Sequence, residues 1–466
     1  MATTILELSQ LISDSVTELS TLCSVHHLRI PDLNEQYTLE SEAFRKDQAV
    51  ARAANIAAAA AFQLAACLLP PQESILQVTS GHLRSAALRV SIESHVAEIL
   101  CNAGDQGMHT SEIAKKTGIN GHALGRLLRL LANRHIYREV GPDVFAHNRI
   151  SSVLSTGKSI EEILKNPTAK HDNTVGFCAF NELLISDAHK ASGYLMENML
   201  DPKTSHSSEP QHSPLQRALK FDTNLWDFQS RPENAYRLRL FGIAMKGATA
   251  MHLPNLLLEL FDWSALPEDA LVVDVGGGIG SSARTVLDAY PKLKFVVQDM
   301  PQVVDDGAKY WKEVDPEKLQ SGRITFQAHN FFSPEPVTNA SVFLLKNILH
   351  DWSDANCIKI LTHLRAAATP ETKLLILDCV MTTSGVDMVI DTISNTQGLN
   401  PPAVLSTGFR TVNDMAWALD GTMMVKHNTQ EHTLLQFNDL LKSAGWELTR
   451  VVLSGSAIDS VHAKPM

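Results

Sequence analysis

The chain has 466 residues, 44% of them hydrophobic and 20% charged, with a formal net charge of −11 at pH 7. That is the composition of a soluble globular protein of two or three domains with ample core, and its acidic balance argues against a general nucleic-acid binder. Six scattered cysteines without a Cys-x-x-Cys pair argue against a disulfide framework or a zinc site and fit reduced thiols in a cytoplasmic enzyme.

Residues 1–94 read as a helical N-terminal region, broken at Pro70-Pro71. The first thirty residues carry Glu7, Asp14 and Glu18 and no apolar run, so no signal peptide is expected. The stretch Ala53–Leu69 is mostly alanine and is interrupted by Asn55 and Gln63, so it is expected to be a helix and not a membrane span. The broad apolar face of Ile56–Leu69 exceeds what a small domain hides alone. Burial against a second copy of the chain is the expectation, with packing inside the chain as the alternative.

Residues 95–155 carry a more specific pattern. His109-Thr-Ser-Glu-Ile-Ala-Lys-Lys-Thr-Gly118 predicts a short capped helix, and Ala123–Ala132 a second one after a turn. Ile136–Val140 and Val144–Ala146 follow as two short strands, which makes a winged helix. Such a unit can bind DNA through the second helix, which holds Arg126 and Arg129. Seven basic residues against five acidic ones in this segment make a poor electrostatic footprint. A dimerisation or structural role is expected, with no nucleic-acid partner.

Residues 156–265 read as a helical connecting and substrate-pocket region. Lys203–Pro214 is a low-complexity, solvated loop, and Pro232–Gly247 a helix leading to the catalytic domain. Phe241 and Met245 on that helix are candidates to line a substrate pocket, although such residues at helical spacing also make plain core.

From residue 266 to the C-terminus strands and helices alternate, with strands expected at Leu271–Val275, Lys294–Gln298, Arg323–Ala328, Ser341–Lys346 and Lys373–Asp378. Alternating βα units predict an α/β fold with a doubly wound, mostly parallel sheet, binding its ligand at the carboxyl ends of the strands. The first of these strands runs straight into Asp274-Val-Gly-Gly-Gly-Ile-Gly280 and then a helix. A dinucleotide fingerprint begun at Gly276 needs glycine at 281, where Ser281 stands, and no Gly-Lys-Ser/Thr follows to grip phosphate. Asp274 with the alternating Gly276, Gly278 and Gly280 therefore suits a nucleoside without phosphates, of which S-adenosylmethionine is the commonest. Asp299, at the end of the second strand and 19 positions after Gly280, is placed to hold the ribose hydroxyls.

Val342–Asp354 sets Lys346, His350 and Asp351 just past the fourth strand, where an open α/β sheet keeps its active site. A histidine there suits removal of a proton from a phenol. A carboxylate would raise its basicity and fix its tautomer, and Asp378 and Glu431 are the downstream candidates. No metal-ligand cluster stands out, and no metal is expected.

The Asp-x-Gly-x-Gly-x-Gly cradle, Val296-Val-Gln-Asp-Met-Pro-Gln-Val-Val304, Leu345-Lys-Asn-Ile-Leu-His-Asp-Trp352 and the winged helix together resemble the fungal and plant S-adenosylmethionine-dependent O-methyltransferases of the caffeate/flavonoid type. The resemblance runs from about residue 90 to the C-terminus. It implies a class I methyltransferase domain, an N-terminal dimerisation domain, a homodimer, no membrane partner and a small hydroxylated aromatic acceptor from secondary metabolism. By position it implies Gly276 as the cradle glycine, Asp299 as the ribose acid, Lys346 as a cofactor-contacting lysine, His350 as catalytic base and Glu431 as its flanking carboxylate. Asp378 falls where plant relatives have a glutamate, one methylene longer. Met424 falls at a substrate-clamping methionine, and the acceptor pocket is expected from segments 175–200, 225–250 and 395–425, including the loop 400–408. After the third strand the family carries an acid on the adenine side, whereas this chain has Asn330 next to Phe331, an acceptor without charge. Some members of the family bind the same cofactor and catalyse pericyclic or decarboxylative reactions instead, so a non-methylating reaction is the alternative.

Overall fold

The structure, a computed structural model, describes residues 2–251, 255–381, 402, 404–405, 414–454 and 458–466. The chain divides into two compact units, one built from Met1–Met199, Pro214–Met251 and Pro401–Val412, the other from Leu200–Ser213, His252–Asn400 and Asn413–Met466.

The first unit opens with two long helices, Ala2–Val25 and Gln48–Leu68, packed against each other. The Asp47 carboxylate caps the second by accepting from the amides of Ala49 and Val50. Small alanines at 53, 59 and 60 let the helices approach, and Leu8, Cys23 and Val50 fill the seam. Gln48–Leu68 is long and apolar enough to cross a membrane by length and composition, with a mean hydropathy of 1.4. Within it Asn55 and Gln63 are half-buried, and Gln63 donates to the Val404 carbonyl at 2.9 Å.

The winged helix is present as expected. Helix Thr110–Thr117 stops where Gly118 turns left-handed, φ +72°, and Gly121–Ala132 follows. Strands β1 (Met108–His109), β2 (Arg138–Gly141) and β3 (Val144–Ala146) form the wing in the order β1-β3-β2. Ile113, Leu124, Leu128, Tyr137 and Phe145 are its buried core. Arg129 of the second helix is engaged by two acids of the wing, Glu139 at 2.7 Å and Asp143 at 2.8 Å.

Further along, helices Phe177–Leu183 and Ala235–Ala250 cross so closely that glycine is required at the crossing. A Cβ on Gly247 would lie 2.2 Å from the Gly176 carbonyl oxygen. Beside this crossing lies a buried ionic cluster. Glu182 binds His171 at 2.8 Å and Lys170 at 3.5 Å and accepts from the Tyr236 hydroxyl at 3.1 Å, while Lys170 donates to the Ile92 carbonyl at 2.7 Å. Burial raises the Glu182 pKa, but the His171 hydrogen bond and the Lys170 charge outweigh it and hold the carboxyl at about 2.

The second unit is a seven-stranded sheet in the order β6-β5-β4-β7-β8-β10-β9. Its strands are β4 (Leu271–Val275), β5 (Lys294–Asp299), β6 (Ile324–Ala328), β7 (Val342–Lys346), β8 (Lys373–Asp378), β9 (Trp446–Val452) and β10 (Asp459–Pro465). β4 to β8 are parallel, and β10 is inserted antiparallel between β8 and β9. The apolar runs of β4, β7 and β8 are buried on both faces, as a parallel sheet covered by helices requires. Val273, Phe343 and Ile376 face one core with helices Asp354–Ala367 and Leu434–Ser443. Val272, Leu344 and Leu375 face the other, with Ser281–Ala289 and Trp311 of Pro301–Val314. Connections run outward in opposite directions from β4 and β7, so the crevice at the sheet's switch point opens beyond the carboxyl ends of these two strands.

The segment Lys203–Pro214, expected to be solvated throughout, is partly pinned. Asn428 donates to the carbonyls of Ser207 at 2.7 Å and Glu209 at 3.1 Å, and Pro210 is buried.

Replacing Glu182 by Gln should strand the buried Lys170 charge and destabilise the protein by about 3–5 kcal/mol at pH 7 in denaturant unfolding. Glu182's contribution is complete above its ordinary pKa near 4.5 and disappears as pH falls toward about 2, so the two proteins should converge in stability across that window.

Candidate functional site

The cradle is built as the glycine spacing demands. Gly276, Gly278 and Gly280 all lie at positive φ, at +68°, +60° and +79°. A Cβ on Gly276 would meet Ile348 Cδ1 at 2.5 Å, so the first turn admits no side chain. Gly280 leads into helix Ser281–Ala289, and the turn is braced from below by the Trp311 indole, which donates to the Ile279 carbonyl at 3.0 Å. β4 and β5 place Asp299 across from the cradle. Its Oδ2 accepts from the Gly278 amide at 2.9 Å and its Oδ1 from the Met300 amide at 2.7 Å. A carboxylate has about four acceptor positions, so these amides fix its orientation and leave capacity for two hydroxyl donors.

Behind the cradle the charges are buried. Asp274 is 1% exposed and its Oδ2 has no hydrogen-bond partner among the described residues. Burial pushes its carboxyl up to about 7, against the Lys346 charge that lowers it. Burial likewise lowers the Lys346 ammonium, which Asp274 and Asp378 pull back up. An orphaned buried carboxylate oxygen, a diol-ready carboxylate and the lack of any phosphate-gripping residue fit S-adenosylmethionine, a nucleoside that carries positive charge and no phosphate.

Asn330 and Phe331 follow β6 on the same side of the sheet. Asn330 is exposed, and its Oδ1 accepts from the Phe332 amide at 3.0 Å, so the oxygen expected to replace the usual acid is turned partly toward its own loop. Phe331, Phe332 and Trp352 form an edge-to-face cluster with ring centroids 4.7–5.6 Å apart. Phe331 also lies 3.8 Å from where a Gly276 Cβ would stand, which sets an aromatic wall against the cradle.

β7 delivers the second half of the site. Lys346 ends the strand, Asn347 takes a left-handed conformation at φ +55°, and the chain turns into a single 3₁₀ turn, Leu349–Asp351. Asparagine tolerates that conformation better than most residues. His350 is 6% exposed, and its Nδ1 lies 2.7 Å from Glu431 Oε1. Glu431 arrives from the segment after helix Asp414–His427, its amide donating to Asp420 Oδ1 at 2.9 Å. Thr429 ties the same segment to the turn by donating to the His350 carbonyl at 2.5 Å. Burial alone lowers the His350 pKa. The charges of Glu431 and Asp351 and the Glu431 hydrogen bond overturn this and raise it to about 10.

Asp378, at the end of β8, is 1% exposed and neither of its oxygens has a hydrogen-bond partner among the described residues. It therefore does not bond to His350 and influences it through charge alone, while burial pushes its own carboxyl to about 7. The structure thus brings together Asp274, Gly276, Gly278, Gly280, Asp299, Asn330, Phe331, Lys346, His350, Asp378 and Glu431 at the carboxyl ends of the strands. Met424 is 40% exposed on helix Asp414–His427 of this unit. Met245 belongs to the other unit, where it and Phe241 are partly buried against the cluster of Ala179, Leu183, Leu240 and Ala244. Of the loop 400–408, only Pro402, Val404 and Leu405 are among the described residues. The sequence set Asp351 beside His350 at the strand end without a role of its own, and gave none to Trp352 or His427. Trp352 lay in a quoted motif, whereas nothing in the local pattern marks His427.

A family model for an O-methyltransferase domain matches residues 220–447, and one for an O-methyltransferase dimerisation domain matches residues 76–157. The chain is 40% identical to 4-O-methyltransferase 1 of Phanerochaete chrysosporium, covering 98% of both chains, and 40% identical to an O-methyltransferase of Armillaria gallica over 98% of this chain and 97% of that one. Among solved structures it superposes on mitomycin 7-O-methyltransferase with a TM-score of 0.63 at 22% identity, covering 85% and 98% of the two chains. A pericyclic reaction enzyme superposes with a TM-score of 0.68 at 20% identity, covering 90% and 95%, which establishes a shared fold. The chain is an enzyme and belongs to the fungal O-methyltransferase family.

Proposed function

We propose that the protein transfers a methyl group from S-adenosylmethionine to the hydroxyl of a small phenol or enol of secondary metabolism, with His350 as general base. The observation that carries this reading is the buried His350–Glu431 pair, 2.7 Å apart, beside a glycine cradle at the sheet's switch point. When bound, the cofactor supplies an electrophilic methyl group. Gly276, Gly278 and Gly280 would admit its close approach to the backbone, Asp299 would accept hydrogen bonds from its ribose hydroxyls, and Asp274, Lys346, Asn330 and Phe331 would complete its walls. Glu431 holds Nδ1 of His350, which leaves Nε2 for the acceptor. The imidazole takes the hydroxyl proton there and leaves the acceptor as an oxyanion, to which the bound cofactor would supply its methyl group, with S-adenosylhomocysteine as the leaving group. Met245 and Met424 are each assigned to acceptor binding. A His350 pKa of about 10 matches that of an ordinary phenol, about 10, so the proton moves between them at little cost.

The protein is also assigned as a homodimer. Leu68, Ile75, Leu76, Val78 and Leu83 are between 52% and 79% exposed on consecutive helices just before and at the start of the matched dimerisation segment, a stretch of apolar surface that association would cover.

Incubation with S-adenosylmethionine and a panel of phenols and enols should give acceptor-dependent release of S-adenosylhomocysteine. Tight cofactor binding without release for any acceptor would favour the non-methylating alternative. His350→Gln should lower kcat by about 10²-fold or more with cofactor Kd unchanged. Because protonated His350 cannot accept a proton, kcat/KM of the wild type should climb with pH through the alkaline range toward about 10. Glu431→Gln removes the charge that raises the base and should move that limb to lower pH. Val78→Glu with Leu76→Glu should shift the molar mass seen by light scattering from dimer to monomer.

A further inference from the structure

The imidazole of His350 is flanked by a carboxylate on each of its nitrogens. Glu431 takes Nδ1. On the other side, Asp351 Oδ1 lies 3.8 Å from Nε2, too far for a hydrogen bond and close enough for a strong charge interaction in a buried site. The same Asp351 oxygen lies 3.5 Å from Nε2 of His427, the last residue of helix Asp414–His427. His427 is 3% exposed. The four groups form a line, Glu431, His350, Asp351 and His427, of which the reading above uses only the first two.

We propose that Asp351, held in place by His427, is a positioning residue that faces the proton-receiving nitrogen of His350 and stabilises the imidazolium formed there. This inference rests on the assignment of His350 as the base.

The proton balance is simple. The O–H bond of the acceptor breaks, an N–H bond forms at Nε2, and the imidazole becomes a cation between two carboxylates. Glu431 lies nearer and fixes the tautomer. Asp351 lies on the side where the new charge appears, so its interaction grows as the proton arrives. The groups facing Asp351 are His350 and His427, the Lys426 ammonium and the Glu431 carboxylate. Those facing His350 are Glu431, Asp351 and Asp378. Those facing His427 are Asp351, Lys426 and His350.

His427 is suited to a neutral holding role. Burial and the positive charges of Lys426 and His350 keep its pKa well below the ordinary histidine value, so one ring nitrogen carries a proton and can donate it toward Asp351. Burial pushes the Asp351 carboxyl up to about 6, with the His350 and Lys426 charges holding it down, so it is ionised at neutral and alkaline pH. A carboxylate placed next to His350 by its own chain neighbour needs a second anchor to keep its direction, and His427 supplies it across 76 residues of sequence.

The test uses the full-length protein with S-adenosylmethionine and the panel phenol that gives the fastest release of S-adenosylhomocysteine. Asp351→Asn should lower kcat roughly tenfold or more and move the acid limb of kcat/KM down by about one pH unit, with cofactor Kd unchanged. His427→Leu should shift the limb in the same direction, and His427→Gln, which keeps an N–H donor, should restore most of it. A loss of rate in Asp351→Asn with the acid limb unmoved would make Asp351 merely structural and overturn the inference. Should Asp351→Asn fail to fold, matching limbs in His427→Leu and His427→Gln would overturn it equally. His350→Gln separates the two assignments: wild-type turnover in that variant removes the base itself, whatever Asp351 does.

Discussion

Burying charge is the constraint on which the catalytic unit depends. Asp274, His350, Asp378 and Glu431 are buried, and Lys346 half-buried, at the carboxyl end of a parallel sheet whose strands are covered on both faces, where water screens them poorly. Each group is then defined by its neighbours. Asp274 and Lys346 pull each other's pKa in opposite directions to burial, and the His350 imidazole is basic only because carboxylates surround it. The apolar cores on either side therefore do more than stabilise the sheet. They set the dielectric in which each buried charge is governed by its neighbours.

Much of this was legible in the sequence, for reasons that can be named. β4 to β8 were found within a residue or two because buried parallel strands are unbroken apolar runs, and the cradle because its glycines carry a conformational requirement that no other residue meets cheaply. His350 could be singled out because a strand end fixes its location independently of any contact. Glu431 was a candidate through its type and order in the chain, but its 2.7 Å approach to His350 depends on how the helix Asp414–His427 delivers it.

What escaped is what depends on tertiary placement. His427 has no local signature, and its approach to Asp351 joins a helix end to a turn that the chain sets far apart. The cluster of Lys170, His171, Glu182 and Tyr236 likewise comes from a loop and two crossing helices, and no spacing rule brings a loop lysine to a helix glutamate. Lys203–Pro214 reads as solvated because its composition is polar, yet two carbonyls of it satisfy the Asn428 amide, an economy visible only in three dimensions. Asn330 was expected to face the cofactor, and its local bond to the Phe332 amide shows a short polar side chain serving its own turn first.

The position of β10 has a consequence for how the catalytic unit is assembled. β10 follows β9 in the chain but lies inside it, pairing with β8 on one side and β9 on the other. During synthesis the hairpin partner is therefore made before the strand that must separate it from the rest of the sheet. β9 has no neighbour to add to until residues 459–465 exist, and β8 presents an open edge over the same interval. The nascent unit must pass through a stage in which a strongly apolar strand, Leu374 to Leu377, awaits its partner. Such an exposed edge is a natural target for a chaperone and a natural starting point for aggregation.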